Sequence, residues 1–218
     1  MVIRFRNMEL FRMVFSPIDV NTYIIADGSG DCLIIDCGCY DRDEFKKLTD
    51  FMSERHLRPV KLLNTHMHLD HLFGNKYMLE DFGLLTYACP LEEQNRKSAM
   101  SHAIMFGLQM DEPPEIGIPV ADNDFISFNS LEIESIFVPG HTSGSIAFYI
   151  RKENCIFTGD ALFACSIGRT DLPGGDSDTL LNSIWSRLLV LDDMVKVYPG
   201  HGPSTTIGEE KRYNPFLI

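Results

Sequence analysis

Apolar positions alternate with polar ones in some stretches of the chain and recur at a helical spacing in others. Phe11 to Phe15 and Val20 to Ala26 are β-branched or aromatic runs, which predicts strands. The turn residues Asp27-Gly28-Ser29-Gly30 lead into a short buried run from Cys32 to Asp36, so a hairpin is expected there. Asp41 with Glu44 three residues later is a capping-box pattern. Phe45, Leu48, Phe51 and Met52 then fall on one helical face, and Arg58-Pro59 stops that helix. Val60 to Asn64 reads as a buried strand. A second helix is expected from near Asp70 to Phe82, then a strand from Leu84 to Ala88. Residues 91–110 look helical, with Met100, Met105 and Met110 read as flexible core filler beside a pocket rim.

The second half repeats the mixture. Phe125 to Phe128, Leu131 to Val138, Ser145 to Ile150, Cys155 to Thr158 and Val195 to Tyr198 predict strands. Residues 177–191 form a helix with an apolar stripe of Leu180, Leu181, Ile184, Leu188 and Leu191, and Thr206 to Tyr213 a closing one. Each half opens with consecutive strands and closes with a helix. The expected architecture is α/β (α+β), a four-layer αββα sandwich, formed by residues 1–218 as a single domain.

Composition narrows the partners. A chain of 218 residues, 44% hydrophobic, can bury one sizeable core. Its formal charge of −12 argues against nucleic acid and anionic membranes as partners. No apolar run approaches the roughly 20 residues needed to span a bilayer, and Met1 to Arg6 does not read as a signal peptide. A small-molecule substrate and a cytoplasmic location are therefore expected; the oligomeric state stays open. Six cysteines lack the C-x-x-C spacing of a structural zinc site and read as reduced, mostly buried thiols. Cys165 stands apart, because it follows Asp160 on an expected active-site loop.

The densest chemical signal is Thr65-His66-Met67-His68-Leu69-Asp70-His71, which holds three of the seven histidines. Imidazole suits zinc, iron and related ions, and a carboxylate adds charge and can bridge. His66 and His68 are two apart, so on an extended segment they point the same way. Asp70 and His71 then sit where a helix begins. Three more donors close apolar strands, each preceded by glycine: His141 after Gly140, Asp160 after Gly159 and His201 after Gly200. Glycine permits the sharp turn that presents a side chain at a sheet edge. Together these seven residues suffice for two ions if one carboxylate is shared. His56 and His102 are left as surface or structurally satisfied residues.

The motifs His66-Met67-His68-Leu69-Asp70-His71, Pro139-Gly140-His141-Thr142-Ser143-Gly144, Phe157-Thr158-Gly159-Asp160-Ala161-Leu162-Phe163 and Tyr198-Pro199-Gly200-His201-Gly202-Pro203 resemble those of the metallo-β-lactamase superfamily. Gly168 to Asp176, Thr206 to Arg212 and Asn214-Pro215-Phe216 resemble the short glyoxalase II-like hydrolases within it. The resemblance implies the metallo-β-lactamase fold. It implies that His66, His68 and His141 bind one metal, that Asp70, His71 and His201 bind a second, and that Asp160 bridges. It also implies two divalent ions, zinc first and iron or manganese as alternatives. A metal-bridging hydroxide, oriented by Asp70 as catalytic residue, would attack a thioester such as S-D-lactoylglutathione. Arg169 occupies the position of a substrate-binding lysine in glyoxalase II, and either contacts a substrate carboxylate or pairs with Asp171 or Asp176. The larger glyoxalase II enzymes carry a C-terminal helical domain, and this chain is expected to lack it. Alternatives within the same fold are a mononuclear-iron persulfide dioxygenase, a lactonase or phosphodiesterase, and a non-catalytic metal-binding module.

Overall fold

The apolar runs at the start of the chain pair as their turn signals require. The computed structural model describes residues 2–218, and the chain divides into two compact units, one ending at Pro119 and one spanning Val120–Ile218. Among the described residues, the first unit carries a seven-stranded sheet in chain order: β1 (Val2–Arg4), β2 (Glu9–Phe15), β3 (Val20–Ala26), β4 (Asp31–Ile35), β5 (Arg58–Leu63), β6 (Thr86–Ala88) and β7 (Ile116–Pro119). Pairing is antiparallel up to β4 and parallel from β4 to β7. Gly28 and Gly30 supply the left-handed backbone of the β3–β4 turn, at φ 86° and 91°. The helices are α1 (Arg42–Glu54), α2 (Leu69–Leu72), α3 (Asn75–Phe82) and α4 (Glu93–Met105).

α1 starts where its cap dictates. The Asp41 carboxylate accepts from the Glu44 amide at 2.8 Å. Glu44 does not complete the reciprocal box; its Oε2 accepts from the amides of Tyr40 and Ser16, both at 2.9 Å. Phe45, Leu48 and Met52 bury the helix against Phe11, Ile24, Ile34 and Leu62 of the sheet. Each such side chain contributes roughly 1.5–3 kcal/mol of transfer free energy. The other sheet face is buried too, at Leu10, Ile25, Leu33 and Ile35.

The helix expected from Asp70 to Phe82 is broken into α2 and α3. At Gly74 the amide donates to Cys37 O at 2.8 Å, and a Cβ there would stand 2.3 Å from Cys37 Sγ. Long-range packing against the Cys37 loop therefore overrides the local helical signal. The helix of residues 91–110 is shorter than expected, a 3-10 turn at Pro90–Glu92 followed by α4. Met100 and Met105 are exposed, Met105 at 80%, so they are not core filler; Met110 does pack against a core cluster.

The second unit holds β8 (Phe125–Phe128), β9 (Leu131–Phe137), β10 (Ile146–Ile150), β11 (Cys155–Gly159), β14 (Lys196–Pro199) and β15 (Thr205–Thr206) in one sheet, ordered β15-β14-β11-β10-β9-β8. A separate small hairpin joins β12 (Leu162–Phe163) to β13 (Ser166–Ile167). α5 (Ser177–Ser183), capped by Asp176, runs into a π-turn at Ile184–Leu188, and α6 (Ile207–Tyr213) is capped by Thr206. Leu180, Ile184 and Leu188 pack with Ile136, Ala147, Ile156 and Val197 of the sheet. The predicted stripe is thus the buried face, although the helix widens where a regular one was expected. Among the described residues, no helix is long and apolar enough to cross a membrane.

Candidate metal centre

In the first unit the donors gather at the carboxyl ends of parallel strands. β4 and β5 run side by side with Ile35 opposite Leu63, so Asp36 and Thr65 emerge at the same sheet end. Asp36 adopts φ 54°, which turns its buried carboxylate back on the motif. Its Oδ1 accepts from the Thr65 amide at 2.8 Å and its Oδ2 from the Thr65 hydroxyl at 2.7 Å. Oδ2 also lies 2.9 Å from His71 Nδ1. A histidine backed by a carboxylate on Nδ1 presents Nε2 outward, the arrangement that orients metal-ligating imidazoles.

The segment from His66 to His68 is buried and lies outside helix and strand, with His68 in extended backbone. Met67 goes the other way, into a cluster with Leu72, Phe73, Ala88 and Ala99. Its amide donates at 2.8 Å to Oε2 of Glu92, a fully buried carboxylate. The rings of His66 and His68 stand 4.9 Å apart, and those of His66 and His71 4.1 Å. α2 then brings Asp70 Oδ2 to 3.6 Å from His71 Nε2. Asn64 Nδ2 donates to His71 O at 2.7 Å, which satisfies the end of that single turn.

In the second unit strand direction again decides. β9 is antiparallel to β10, β10 is antiparallel to β11, and β11 is parallel to β14. The chain therefore leaves β9, β11 and β14 at one sheet end, carrying His141, Asp160 and His201. Gly140 sits at φ 128°, and a Cβ there would lie 2.2 Å from Leu180 N, so only glycine fits beneath α5. Gly159 is at φ 51°, and its carbonyl accepts from the Gly200 amide at 2.8 Å. Gly200 also sits at a bend, but without the left-handed backbone of Gly140 and Gly159.

Asp160 Oδ2 lies 3.6 Å from His141 Nε2 and 3.6 Å from His201 Nε2. That distance exceeds a hydrogen bond. It suits donors that converge on a cation rather than on each other. His141 Nδ1 is 2.8 Å from Arg169 O, which can only accept, so Nδ1 carries a proton and Nε2 is the nitrogen turned toward Asp160. The donor set thus fits a divalent metal in charge, in composition and in the outward aim of Nε2.

Arg169 itself makes a bidentate pair with Asp171, Nε to Oδ1 and an Nη to Oδ2, both at 2.7 Å. The pair is on the surface, and the guanidinium holds the Asp171 carboxyl down to about 2. Of the two readings of Arg169, the structure contains the ion pair. Cys32, Cys37, Cys39, Cys89 and Cys155 are buried free thiols, as expected, and Cys165 is exposed. His56 is exposed and His102 half-buried.

The sequence reading missed Asp36 and Glu92. Asp36 closes an apolar run where no solvent contact is expected, and that was its available signal; Glu92, followed by Glu93, Gln94, Asn95 and Arg96, offered none. Asp36 directly follows Cys32-Leu33-Ile34-Ile35.

Against known proteins, a family profile described as the metallo-beta-lactamase superfamily matches residues 16–201. The chain belongs to the metallo-β-lactamase superfamily. Hydroxyacylglutathione hydrolase GloC of Haemophilus influenzae is 36% identical over 204 residues, covering 90% of this chain and 92% of that protein. Among solved structures, a B3 metallo-beta-lactamase, BLEG-1, superposes with a TM-score of 0.87 at 30% identity, covering 96% of this chain and 99% of that one. TTHA1623, crystallised in a di-iron-bound form, gives 0.85 at 36% identity, covering 95% and 100%. The fold is the metallo-β-lactamase fold, and the chain is a metallo-hydrolase of that superfamily.

Proposed function

We propose that the protein hydrolyses an acyl-thioester, S-D-lactoylglutathione or a related ester, in a single domain made of both units. The family profile spans both, which supports that reading. His66, His68 and His141 hold one divalent cation; Asp70, His71 and His201 hold the second; Asp160 is shared. The observation that carries this is the placement of Asp160 Oδ2 equally far from two outward-facing imidazoles, as a bridging carboxylate requires. Zinc is the proposed metal, with iron or manganese as alternatives; the di-iron form of TTHA1623 supports iron.

When bound, two such ions lower the pKa of water toward ~7 and stabilise developing negative charge on a carbonyl oxygen. The residues do the rest. Asp70, steadied by the α2 turn, orients the attacking oxygen. Arg169 O receives the Nδ1 proton of His141, and the Asp36 carboxylate, 2.9 Å from His71 Nδ1, favours a proton on that nitrogen, so Nε2 is the proposed ligand atom of both. A thiol leaving group, with a pKa near 8.5, departs as thiolate without a dedicated acid. That favours a thioester over an amide, and the similarity to GloC supports it. Arg169 is proposed to meet an anionic part of the substrate, which must displace Asp171 to do so. The cytoplasm is the proposed compartment, supported by six free thiols.

The test is a metal count on purified protein, with an assay panel of acyl-thioesters, a lactone, a β-lactam, bis-p-nitrophenyl phosphate, and oxygen uptake with glutathione persulfide. Two metals per chain and preferential thioester turnover are expected. One iron with oxygen uptake, or turnover confined to another ester class, overturns the thioester reading.

A further inference from the structure

The motif from Thr206 to Arg212 with Asn214-Pro215-Phe216 plays no part in the chemistry above, yet α6 reaches toward it. Glu210 is 1% exposed. Its Oε2 accepts from the Cys165 amide at 2.9 Å and from Asn214 Nδ2 at 2.8 Å, and its Oε1 accepts from the Thr205 hydroxyl at 2.6 Å. Asn214 Nδ2 also donates to Ser166 O at 3.0 Å. Cys165 and Ser166 lie at the tip of the β12–β13 hairpin, where Cys165 takes φ 57°. The last helix thus grips the hairpin tip by side-chain hydrogen bonds.

That hairpin adjoins all three donors of its unit. Asp160 leads into it, and Gly168, which follows β13, lies so near that a Cβ would stand 1.9 Å from Asp160 O and 3.1 Å from His141 Nδ1. Phe163 on β12 packs edge-on against the His201 ring, with centroids 6.3 Å apart. Arg169, just beyond β13, offers the carbonyl that receives the His141 proton. A two-stranded hairpin of this length does not hold its own shape in water. Something outside must fix it, and the bonds above supply that.

We propose that Glu210 is a positioning residue: through the hairpin tip it sets the placement of His141, Asp160 and His201 together. The proposal rests on reading those three as metal ligands. Removing the carboxylate takes the acceptor from the Cys165 amide and from one Asn214 bond, and leaves the Thr205 hydroxyl with Glu209 Oε2 at 3.2 Å; the hairpin is then free to shift. Glutamine preserves the grip, because its oxygen can receive the Cys165 and Asn214 donors while its nitrogen donates to the Thr205 hydroxyl.

The experiment uses the full-length protein with E210A and E210Q. Three quantities are read: zinc affinity by competition with a chromophoric chelator, the absorption spectrum of the cobalt-loaded protein, and hydrogen exchange of the 161–169 segment in metal-free protein. E210A is expected to weaken zinc affinity about 10–100-fold, the usual range for losing a group that orients ligands. It is expected to alter the cobalt spectrum and to speed exchange of the hairpin. E210Q is expected to restore all three. If E210A does not fold, N214A removes one arm of the grip and should change the same quantities in the same direction. A folded E210A that melts earlier but keeps wild-type zinc affinity and spectrum overturns the proposal, since Glu210 would then serve stability alone. Unchanged hairpin exchange also overturns it. A wild-type protein that holds no metal defeats the metal reading instead, and exchange in the metal-free protein still decides whether the grip exists.

Discussion

The two units present their donors in opposite ways. In the first, four donors lie within a single six-residue stretch, His66 to His71, and are braced by groups close in space, Asp36, Asn64 and Glu92. In the second, three donors come from three strand ends and are aligned by strand direction and by a hairpin. A contiguous motif can be shaped by local backbone rules. A dispersed one depends on register and on residues far along the chain. The first set should therefore respond to its nearest braces and the second to distant ones.

The largest effect should come from Asp70→Ala. Thioester hydrolysis is expected to fall by at least about 100-fold, the lower end for losing a group that manages proton or nucleophile position, with the circular dichroism spectrum unchanged. Near-normal turnover would remove Asp70 from the chemistry. Next, Gly168→Ala should disable the dispersed set without touching a donor. A Cβ 1.9 Å from Asp160 O cannot be relieved by side-chain rotation, so backbone must move. Its metal affinity is expected to fall by about 10-fold or more, and a wild-type titration would show that the loop absorbs the methyl.

Asp36→Ala probes the contiguous set through its brace. Losing an acceptor for Thr65 should destabilise the fold by about 1–3 kcal/mol in denaturant titration, and metal affinity should drop about 10–100-fold. If stability falls and affinity does not, Asp36 holds the loop and not the His71 ring. The smallest effect concerns Asp171, whose carboxyl is held down to about 2 by Arg169. A lowered carboxyl stabilises its pairing above the ordinary carboxylate range, and the benefit is lost as pH falls through about 2. At neutral pH Asp171→Asn should free Arg169. KM for an anionic thioester should fall by less than about 10-fold, the scale of a surface ion pair. A rise in KM would mean that the pair shapes the pocket.

What could be read in advance follows the same division. Residues 20–26 and 125–128 were predicted as strands with the bounds observed, and α1 began at its Asp41 cap. The motif from His66 to His71 was legible because alternation and a helix start are local properties. The break at Gly74 was not, since its cause is Cys37, far back in the chain. The two-residue strands β12, β13 and β15 escaped notice because each is too brief to carry a periodic signal, and β1 and β7 were missed as well. Glu92 and Glu210 look like solvated acids in sequence; only the fold shows each receiving backbone amides in a buried setting.

The distribution of sulfur has a practical consequence. Burial pushes the Cys32 thiol up to about 12 and raises those of Cys39, Cys89 and Cys155, whereas Cys165 lies at the surface. A maleimide pulse should therefore tag one position at once and the other five only when the protein opens. Counting tags by mass over time turns the chain into its own clock for local and global opening, with no label introduced.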